Sequence, residues 1–346
     1  MLKIERNVPL GPMTTLGVGG AAEYFFRAAD EADIAEAFEW ARERILPVFV
    51  LGGGSNIVVS DAGFRGLVVQ VLLRGLAFEE LGGDDVRVRA GAGEDWDEFV
   101  GECVERGLAG VECLSGIPGF VGGTPVQNVG AYGQEISETI SRVRCFDRND
   151  FRFADLSNED CGFAYRTSIF NTTERDRYVV TSVEFDMKSG GNPRVGYKDL
   201  KERFAGRVPT LAETREAVLD IRRQKSMVID PADPNSRSAG SFFKNPIIPA
   251  DKIAEIADLA GIVTVPTFPA GDGRLKVPAA WLIEKAGLEK GYKLGRVGIS
   301  ANHSLAIVNL GGATSMEIML LKDQIQTAVE AKFGIRLQAE PIFVGF

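Results

Sequence analysis

Apolar residues recur every three to four positions in six segments of the chain, which predicts six helices. The first segment shows the pattern clearly, because Ile34, Phe38 and Ala41 share one helical face between Asp30 and Arg44. Asp30 is a typical N-cap residue, and acidic side chains in the first turn complement the helix dipole. The predicted helices span residues 30–44, 94–106, 211–226, 251–260, 279–287 and 315–333.

Shorter segments alternate apolar and polar residues or form brief apolar runs, which predicts strands. The predicted strands span residues 23–28, 48–51, 57–60, 66–73, 86–90, 141–153, 177–187, 305–309 and 336–344. The segment Asp230–Ser238, DPADPNSRS, interrupts both patterns and predicts a domain boundary. A chain of 346 residues is long enough for two or three domains.

Composition is ordinary for a globular protein but limits its partners. The charged fraction is 25% and the apolar fraction is 45%, both typical of soluble domains. The net charge of −9 disfavours nucleic acid as a partner, although it leaves room for a phosphorylated small molecule. No apolar run approaches a membrane span, and the first residues, MLKIERNVPL, lack the apolar core of a secretory signal.

Four cysteines and one histidine limit the chemistry further. Cys103, Cys113, Cys145 and Cys161 show no CxxC spacing, so we expect reduced thiols in a cytoplasmic protein. His303 is the only histidine. This count excludes histidine pairs, most zinc sites, and a histidyl-linked cofactor at any other position, and we expect no metal site.

One uncharged, glycine-rich stretch stands out from the rest of the chain. Residues 113–134 hold six glycines among 22 residues, with no charge between Glu112 and Glu135. A surface loop is the simple alternative, but Ile117, Phe120 and Val121 are too apolar for a solvated linker. Glycine at this density indicates that the backbone itself is needed, as in loops whose N–H groups hold a phosphate. We interpret the stretch as a buried cofactor cradle.

A second glycine loop, GGGSN at residues 52–56, separates the predicted strands 48–51 and 57–60. Taken alone, it is equally consistent with a hairpin turn and with a phosphate loop. Other glycine patterns fail their context: residues 17–22 precede a strand, and Trp96 occupies the third glycine position after Gly91 and Gly93. No GxxxxGK[ST] motif occurs, which excludes a P-loop enzyme.

Five motifs in order make the chain resemble the MurB family, the UDP-N-acetylenolpyruvoylglucosamine reductases. They are GGGSN at 52–56, SGIPGxVGGTPVQNVGAYG at 115–133, YRxSxF at 165–170, AGSFFKNP at 239–246 and AEP at 339–341. The resemblance implies an α+β fold, with a vanillyl-alcohol-oxidase-type FAD-binding region in two subdomains and a C-terminal substrate domain. We place the FAD subdomains at residues 1–72 and 73–228. The substrate domain is placed at 229–346, with the last strand returning Glu340 to the active site.

The resemblance further implies non-covalent FAD held by both glycine loops. The residues expected to bind it are Gly52, Gly53, Gly54, Ser55, Asn56, Ser115, Gly116, Ile117, Pro118, Gly119, Gly122, Gly123, Asn128, Gly130, Ala131 and Tyr132. In the family reaction NADPH reduces FAD, and reduced FAD then reduces UDP-N-acetylglucosamine enolpyruvate to UDP-N-acetylmuramate, a peptidoglycan precursor. NADPH and the sugar nucleotide are therefore the expected partners of a cytoplasmic protein that we expect to be monomeric.

Three residues match the family's catalytic positions. Ser241 corresponds to the proton donor, and Arg166 and Glu340 to the pair that polarises the substrate carboxylate. Without the resemblance, Ser241 reads as a turn serine after Gly240, Arg166 as an interface arginine, and Glu340 as a pairing residue near the C-terminus.

The expected substrate-binding residues are Tyr165, Tyr197, Lys225, Asn245 and His303. Tyr197 resembles a tyrosine on a loop that closes over the substrate diphosphate in one subtype, and Lys225 a diphosphate-binding lysine. A solvated charge at a helix end is the alternative for Lys225. Phe268 and His303 stand where some relatives have a tyrosine and a glutamine, so the sequence does not decide whether either residue contacts the substrate. An ordinary surface position is an equal alternative for His303.

Two other functions share some of these features. Another oxidase or dehydrogenase with the same FAD-binding fold would also have the glycine loops, but it has no need for AGSFFKNP, YRxSxF and a terminal acid together. A colourless nucleotide-sugar binder would use the loops for a diphosphate without redox chemistry.

Overall fold

The computed structural model describes residues 2–346 and divides them into two compact units. Unit 1 comprises residues 2–8, Ala22–Gly54 and Phe64–Gln224. Unit 2 comprises Pro9–Ala21, Ser55–Gly63 and Lys225–Phe346. Segments from the predicted first subdomain, residues 1–72, thus occur in both units.

Three of the four helices described in unit 1 begin within two residues of their predicted starts. The Asp30 side chain accepts a hydrogen bond of 2.8 Å from the Asp33 N–H, and Asp95 accepts from the N–H groups of Asp97 and Glu98. These caps satisfy N–H groups that the first helical turn cannot pair internally. The helices are Glu31–Glu43, Trp96–Glu105, Lys198–Phe204 and Leu211–Gln224; Lys198–Phe204 has no counterpart among the sequence predictions.

Two main sheets support unit 1. The first has the strand order Glu5–Pro9, Ala21–Ala28, Phe64–Val71, Val48–Leu51, with the last three strands parallel. The second is antiparallel, in the order Arg152–Ser157, Ile140–Asp147, Tyr178–Ser189, Asp85–Gly91, Leu76–Gly82; Leu108–Ala109 also pairs with Tyr178–Ser189. Trp96, Phe99 and Phe185 form an aromatic cluster between helix and sheet, with centroids 4.9 Å apart for Phe99 and Phe185.

The prediction of one strand over residues 141–153 was wrong. The segment contributes to two antiparallel strands, Ile140–Asp147 and Arg152–Ser157. The Asp147 carboxylate accepts hydrogen bonds from the N–H groups of Asn149 and Asp150, which closes an Asx-type turn. The turn residues interrupt an otherwise continuous alternation.

The loop at residues 52–56 is not a hairpin turn. Val48–Leu51, which precedes it, pairs in parallel with Phe64–Val71 in unit 1. Ile57–Val59, which follows it, pairs in parallel with Ile342–Val344 in unit 2. Since the flanking strands do not pair with each other, the hairpin alternative is removed.

Unit 2 combines three helices with short sheets. The longest helix begins with a capping box, in which Thr314 and Glu317 satisfy each other's N–H groups. The helices are Ile253–Ala260, Ala279–Lys285 and Ser315–Phe333. The strands are Ile57–Val59 with Ile342–Val344; Ile247–Pro249, Arg274–Lys276 and Phe268–Pro269; and Lys293–Leu294, Val297–Ile299 and Ile307–Asn309.

The predicted last strand, residues 336–344, is mostly irregular. Only Ile342–Val344 forms a strand, while Ala339 makes a single bridge to Phe243. Pro341 has no N–H group for a sheet hydrogen bond, so it interrupts the extended segment. Over residues 2–346, every helix is too short or too polar to cross a bilayer.

Candidate active site

The two glycine loops meet in unit 1. A Cβ atom on Gly53 would lie 2.7 Å from the Gly119 Cα and 3.0 Å from the Phe120 nitrogen. Gly116 and Gly119 have φ angles of +71° and +123°, which side chains rarely tolerate. Both loops therefore need glycine for the close approach of one backbone to the other, as the sequence indicates.

The loops also present main-chain donors. Within residues 2–346, no acceptor takes a hydrogen bond from the N–H groups of Gly53, Gly54 or Ile117. Such N–H groups in a glycine turn can hold a phosphate without a lysine. The cradle in unit 1 therefore fits the diphosphate of FAD.

A charge pair that the sequence analysis missed fixes one corner of the cradle. The Gly116 N–H donates to the Asp97 carboxylate at 2.5 Å, and Arg215 donates to both carboxylate oxygens at 2.6 and 2.9 Å. Burial opposes ionisation of Asp97, but the hydrogen bonds from Arg215 and Gly116 outweigh it, so the pKa of Asp97 lies below its usual value. In the sequence, Asp97 is indistinguishable from other acids in a first helical turn.

Hydrogen bonds between buried polar groups join the two ends of the uncharged stretch, residues 113–134. Glu112, only 1% exposed, accepts hydrogen bonds from the N–H groups of Gly110 and Arg194 and from the Gln134 amide. The Gln134 amide oxygen in turn accepts from the Cys113 N–H at 2.9 Å. The ends of the stretch are thus joined across 21 residues. Ser115, predicted to bind FAD, is fully buried and donates its hydroxyl to the Glu112 carbonyl.

Arg166 lies against the far end of the cradle. Its guanidinium donates to the carbonyl oxygens of Gly130 and Asn128. Arg166, Asn128 and Tyr132 all have positive φ angles, of 54°, 44° and 49°. Non-glycine residues in this conformation cost energy and concentrate at functional sites. Gly130 has a specific reason to lack a side chain, because a Cβ would lie 2.8 Å from an Arg166 nitrogen.

The remaining YRxSxF residues hold Arg166 in place. Ala164 and Thr167 exchange backbone hydrogen bonds, so Tyr165 and Arg166 form the tip of a tight turn. Ser168 is buried, donates to the Val126 carbonyl at 2.7 Å and caps a short helical turn. The motif therefore consists of a half-buried tip, Tyr165 and Arg166, on a buried anchor, Ser168.

Tyr197 contacts the cradle through Tyr132. Their rings meet edge to face with centroids 5.4 Å apart, and Tyr197 precedes the helix Lys198–Phe204. Tyr132 also bonds to Arg222, whose side chain is buried. Arg222, in the last turn of the helix Leu211–Gln224, therefore supports the cradle from below its surface.

In unit 2, backbone hydrogen bonds bring Ser241 and Glu340 together. The Glu340 N–H donates to the Phe242 carbonyl at 2.9 Å, and the Lys244 N–H donates to the Gln338 carbonyl at 2.9 Å. On its other side, the Phe242 N–H donates to the Leu305 carbonyl at 2.7 Å. Residues 241–245 are thus held between two segments that lie far away in the sequence.

Asn56 and His303 belong to the same cluster of unit 2. The Ile342 N–H donates to the Asn56 carbonyl at 3.0 Å, and the Asn56 amide lies 3.5 Å from the Glu340 carbonyl. His303 places Nε2 3.4 Å from the Ser241 hydroxyl oxygen. The sequence is compatible with a substrate contact or an ordinary surface position for His303, and it carries no signal of the contact with Ser241.

The other predicted substrate residues of unit 2 have mixed surroundings. The Asn245 side-chain oxygen accepts from the Ala279 N–H at 2.8 Å, at the start of the helix Ala279–Lys285. Lys225 lies just past a helix end and is half-buried. Phe268 is 48% exposed in a two-residue strand.

Cys113 is the cysteine inside the glycine-rich stretch. It is fully buried and its thiol donates to the Arg194 carbonyl at 3.1 Å. Burial raises the pKa of the Cys113 thiol well above its usual range. A thiol in this state is a poor nucleophile for covalent flavin attachment.

Comparison with known proteins accounts for both parts of the chain. Residues 22–150 match the FAD binding domain family, and residues 231–344 match the family described as UDP-N-acetylenolpyruvoylglucosamine reductase, C-terminal domain. The chain is 49% identical to UDP-N-acetylenolpyruvoylglucosamine reductase of Thermobifida fusca, with 98% of each chain covered. It is 42% identical to the enzyme of the same name from Streptomyces coelicolor, covering 98% of this chain and 90% of that one.

A solved structure gives the same result. The crystal structure of UDP-N-acetylenolpyruvylglucosamine reductase (MurB) from Thermus caldophilus matches with a TM-score of 0.68 and 26% identity, over 99% of this chain and 100% of that one. The α+β fold with an FAD-binding part and a C-terminal domain is confirmed. The chain belongs to the UDP-N-acetylenolpyruvoylglucosamine reductase family.

Proposed function

We propose that this chain reduces UDP-N-acetylglucosamine enolpyruvate to UDP-N-acetylmuramate with NADPH and bound FAD. The observation that carries the proposal is the arrangement of unit 2, where the Phe242–Glu340 backbone hydrogen bond joins two family positions 98 residues apart. The two glycine loops would hold FAD, which would supply the hydride chemistry between NADPH and the enolpyruvyl double bond.

The protein's own residues bind, polarise and protonate the substrate. Arg166, oriented by the carbonyl oxygens of Gly130 and Asn128, holds the substrate carboxylate and stabilises negative charge as it develops there. Ser241 gives its hydroxyl proton to the carbon that bears this carboxylate. Glu340 completes the polarising pair.

Other residues determine substrate affinity. Tyr197 and Lys225 bind the diphosphate, and Tyr165, Asn245 and His303 are further substrate contacts from the family resemblance. The FAD contacts are the predicted residues of the two glycine loops. The buried Cys113 thiol and the absence of any histidine other than His303 support non-covalent FAD.

The experiment is anaerobic titration of the purified yellow protein. NADPH should bleach the flavin, and UDP-N-acetylglucosamine enolpyruvate should restore its colour with one product formed per NADPH consumed. UDP-N-acetylglucosamine without the enolpyruvyl group is the matched control and should leave the flavin reduced. Flavin that stays reduced with both compounds would overturn the proposed substrate. NADH in place of NADPH measures the coenzyme preference, and flavin in the filtrate after denaturation tests non-covalent binding.

A further inference from the structure

The only histidine of the chain contacts the proposed proton donor. His303 Nε2 lies 3.4 Å from the Ser241 oxygen, and both residues belong to unit 2. Both side chains are half-buried. A serine that acts as an acid needs such a neighbour, because loss of its proton leaves a strongly basic alkoxide.

The residues before and after His303 in its loop are both fixed by side-chain hydrogen bonds. The Asn302 amide donates to the Ser226 hydroxyl at 2.8 Å, and the Ser304 hydroxyl donates to the Glu284 carboxylate. The Ala306 N–H donates to the His303 carbonyl at 3.1 Å. These bonds fix the backbone from which the imidazole projects.

The same loop is joined to the serine segment through its backbone. The Phe242 N–H, one residue after Ser241, donates to the Leu305 carbonyl, two residues after His303. This bond of 2.7 Å sets the spacing between the two side chains. The contact between hydroxyl and imidazole therefore does not depend on two flexible side chains meeting by chance.

We propose that His303 is a positioning residue for proton transfer, whose Nε2–H donates to the Ser241 oxygen as that oxygen loses its proton. This inference rests on the proposed function of Ser241. In the step, the serine O–H bond breaks, and the electron pair that the reduced double bond leaves on the carbon bearing the substrate carboxylate forms a C–H bond with that proton. The O–H electron pair stays on the serine oxygen, where the imidazole N–H stabilises it. A solvent proton, which reduction by NADPH consumes overall, then restores the hydroxyl.

The hydrogen bond can be observed directly, because one histidine gives one set of imidazole signals. In the FAD-loaded protein with nitrogen-15-labelled histidine, we expect a neutral ring with the proton on Nε2. Ser241→Ala should move the Nε2 resonance, whereas the control Ser189→Ala, at an exposed strand end in unit 1, should not. A proton on Nδ1 of the neutral ring, or an Nε2 signal unchanged in Ser241→Ala, would overturn the inference.

Kinetics separates stabilisation of the serine oxygen from direct contact with the substrate. Loss of one oxyanion donor slows a reaction roughly 10²–10³-fold, so His303→Phe should slow flavin reoxidation by the enolpyruvyl substrate by about 10²-fold. His303→Gln retains an N–H donor and should recover part of this rate. Reduction of FAD by NADPH should be unchanged in both variants.

The double variants decide between the possible roles. In the Ser241→Ala background and at saturating substrate, His303→Phe should cause no further loss of the reoxidation rate, because the oxygen that it stabilises is gone. Additive losses, or a glutamine variant as slow as the phenylalanine variant, would overturn the role of His303. Normal reoxidation in Ser241→Ala alone would instead refute the proposed function of Ser241. A slow Ser241→Ala with a normal His303→Phe would refute only the present inference.

Discussion

The glycine cradle of unit 1 and the Ser241 cluster of unit 2 position their polar groups by opposite means. In the cradle, the groups proposed to bind FAD are main-chain N–H groups, and side chains are excluded where Gly53 approaches Gly119. In the Ser241 cluster, the groups proposed to act on the substrate are side chains. The backbone next to them forms hydrogen bonds with distant segments, as Phe242 does with Leu305 and Glu340.

This difference predicts which changes each region tolerates. A single added carbon at Gly53 meets backbone atoms that cannot rotate away, so the cradle is sensitive to volume. Truncation at Ser241 leaves the Phe242–Leu305 and Glu340–Phe242 hydrogen bonds intact, so the chemistry should be lost while the fold remains. The comparison can be tested by four changes, from the largest expected effect to the smallest.

Ser241→Ala should slow flavin reoxidation by the enolpyruvyl substrate and leave FAD reduction by NADPH nearly unchanged. General acid catalysis contributes roughly 10²–10⁴-fold, so flavin reoxidation by the enolpyruvyl substrate should slow by at least about 10²-fold. Stopped-flow measurement of each half-reaction tests this, with FAD content and thermal unfolding as controls for the fold. Ser241→Cys, which keeps an ionisable hydrogen, should recover part of the rate. Collapse of FAD reduction with normal reoxidation would contradict the role.

Gly53→Ala should release FAD. Its Cβ would meet the Gly119 Cα at 2.7 Å and carbonyl carbon at 2.9 Å, and overpacking of this kind costs about 1–3 kcal/mol. We therefore expect the FAD dissociation constant to rise by up to roughly a hundredfold, measured by fluorescence of released flavin. Gly196→Ala is the matched control, because a Cβ there meets no protein atom within 4 Å and Gly196 is not among the predicted FAD contacts. Equal FAD retention in the two variants would show that the loops do not need this approach.

Tyr197→Phe and Lys225→Met should weaken substrate binding. Hydrogen bonds to a charged group contribute about 1.5–3 kcal/mol, so the KM for the sugar nucleotide should rise roughly ten- to a hundredfold in each variant. Tyr197→Phe retains the ring contact with Tyr132, which isolates the hydroxyl. Reduction of FAD by NADPH should be nearly unchanged. An unaltered KM in both variants would remove these residues from the diphosphate site.

Asp97→Asn should destabilise the fold around the cradle without placing any new atoms in it. The pKa of Asp97 is lowered in the folded protein, so its ion pair stabilises the fold above the unfolded-state pKa of about 4. That contribution is lost as the pH falls through the lower folded-state value. The variant should lose about 1.5 kcal/mol of unfolding free energy at neutral pH. Its unfolding free energy should also fall less steeply than that of the unmodified protein as the pH is lowered. Asp85→Asn, an exposed pair with Lys188, is the control. An equal loss in both variants would contradict a specific role for Asp97.

The sequence by itself determined the features that depend on local physics. Caps and apolar spacing predicted the helices near Asp30 and over Ser315–Phe333, because a helix forms contacts between near neighbours in the chain. The high glycine content of the uncharged stretch, residues 113–134, predicted the cradle, since few segments other than ligand-binding loops need so many glycines. The motifs, through the family resemblance, indicated FAD and the catalytic positions.

Only the tertiary structure decided which distant segments meet. Parallel pairing of Ile57–Val59 with Ile342–Val344 removed the hairpin alternative, and no pattern in GGGSN contains that information. Asp97 carries no sequence signal for its bond to Gly116, and His303 none for its contact with Ser241. Long-range partners are selected by the packing of the whole chain, because a short polar segment has many partners of equal local energy.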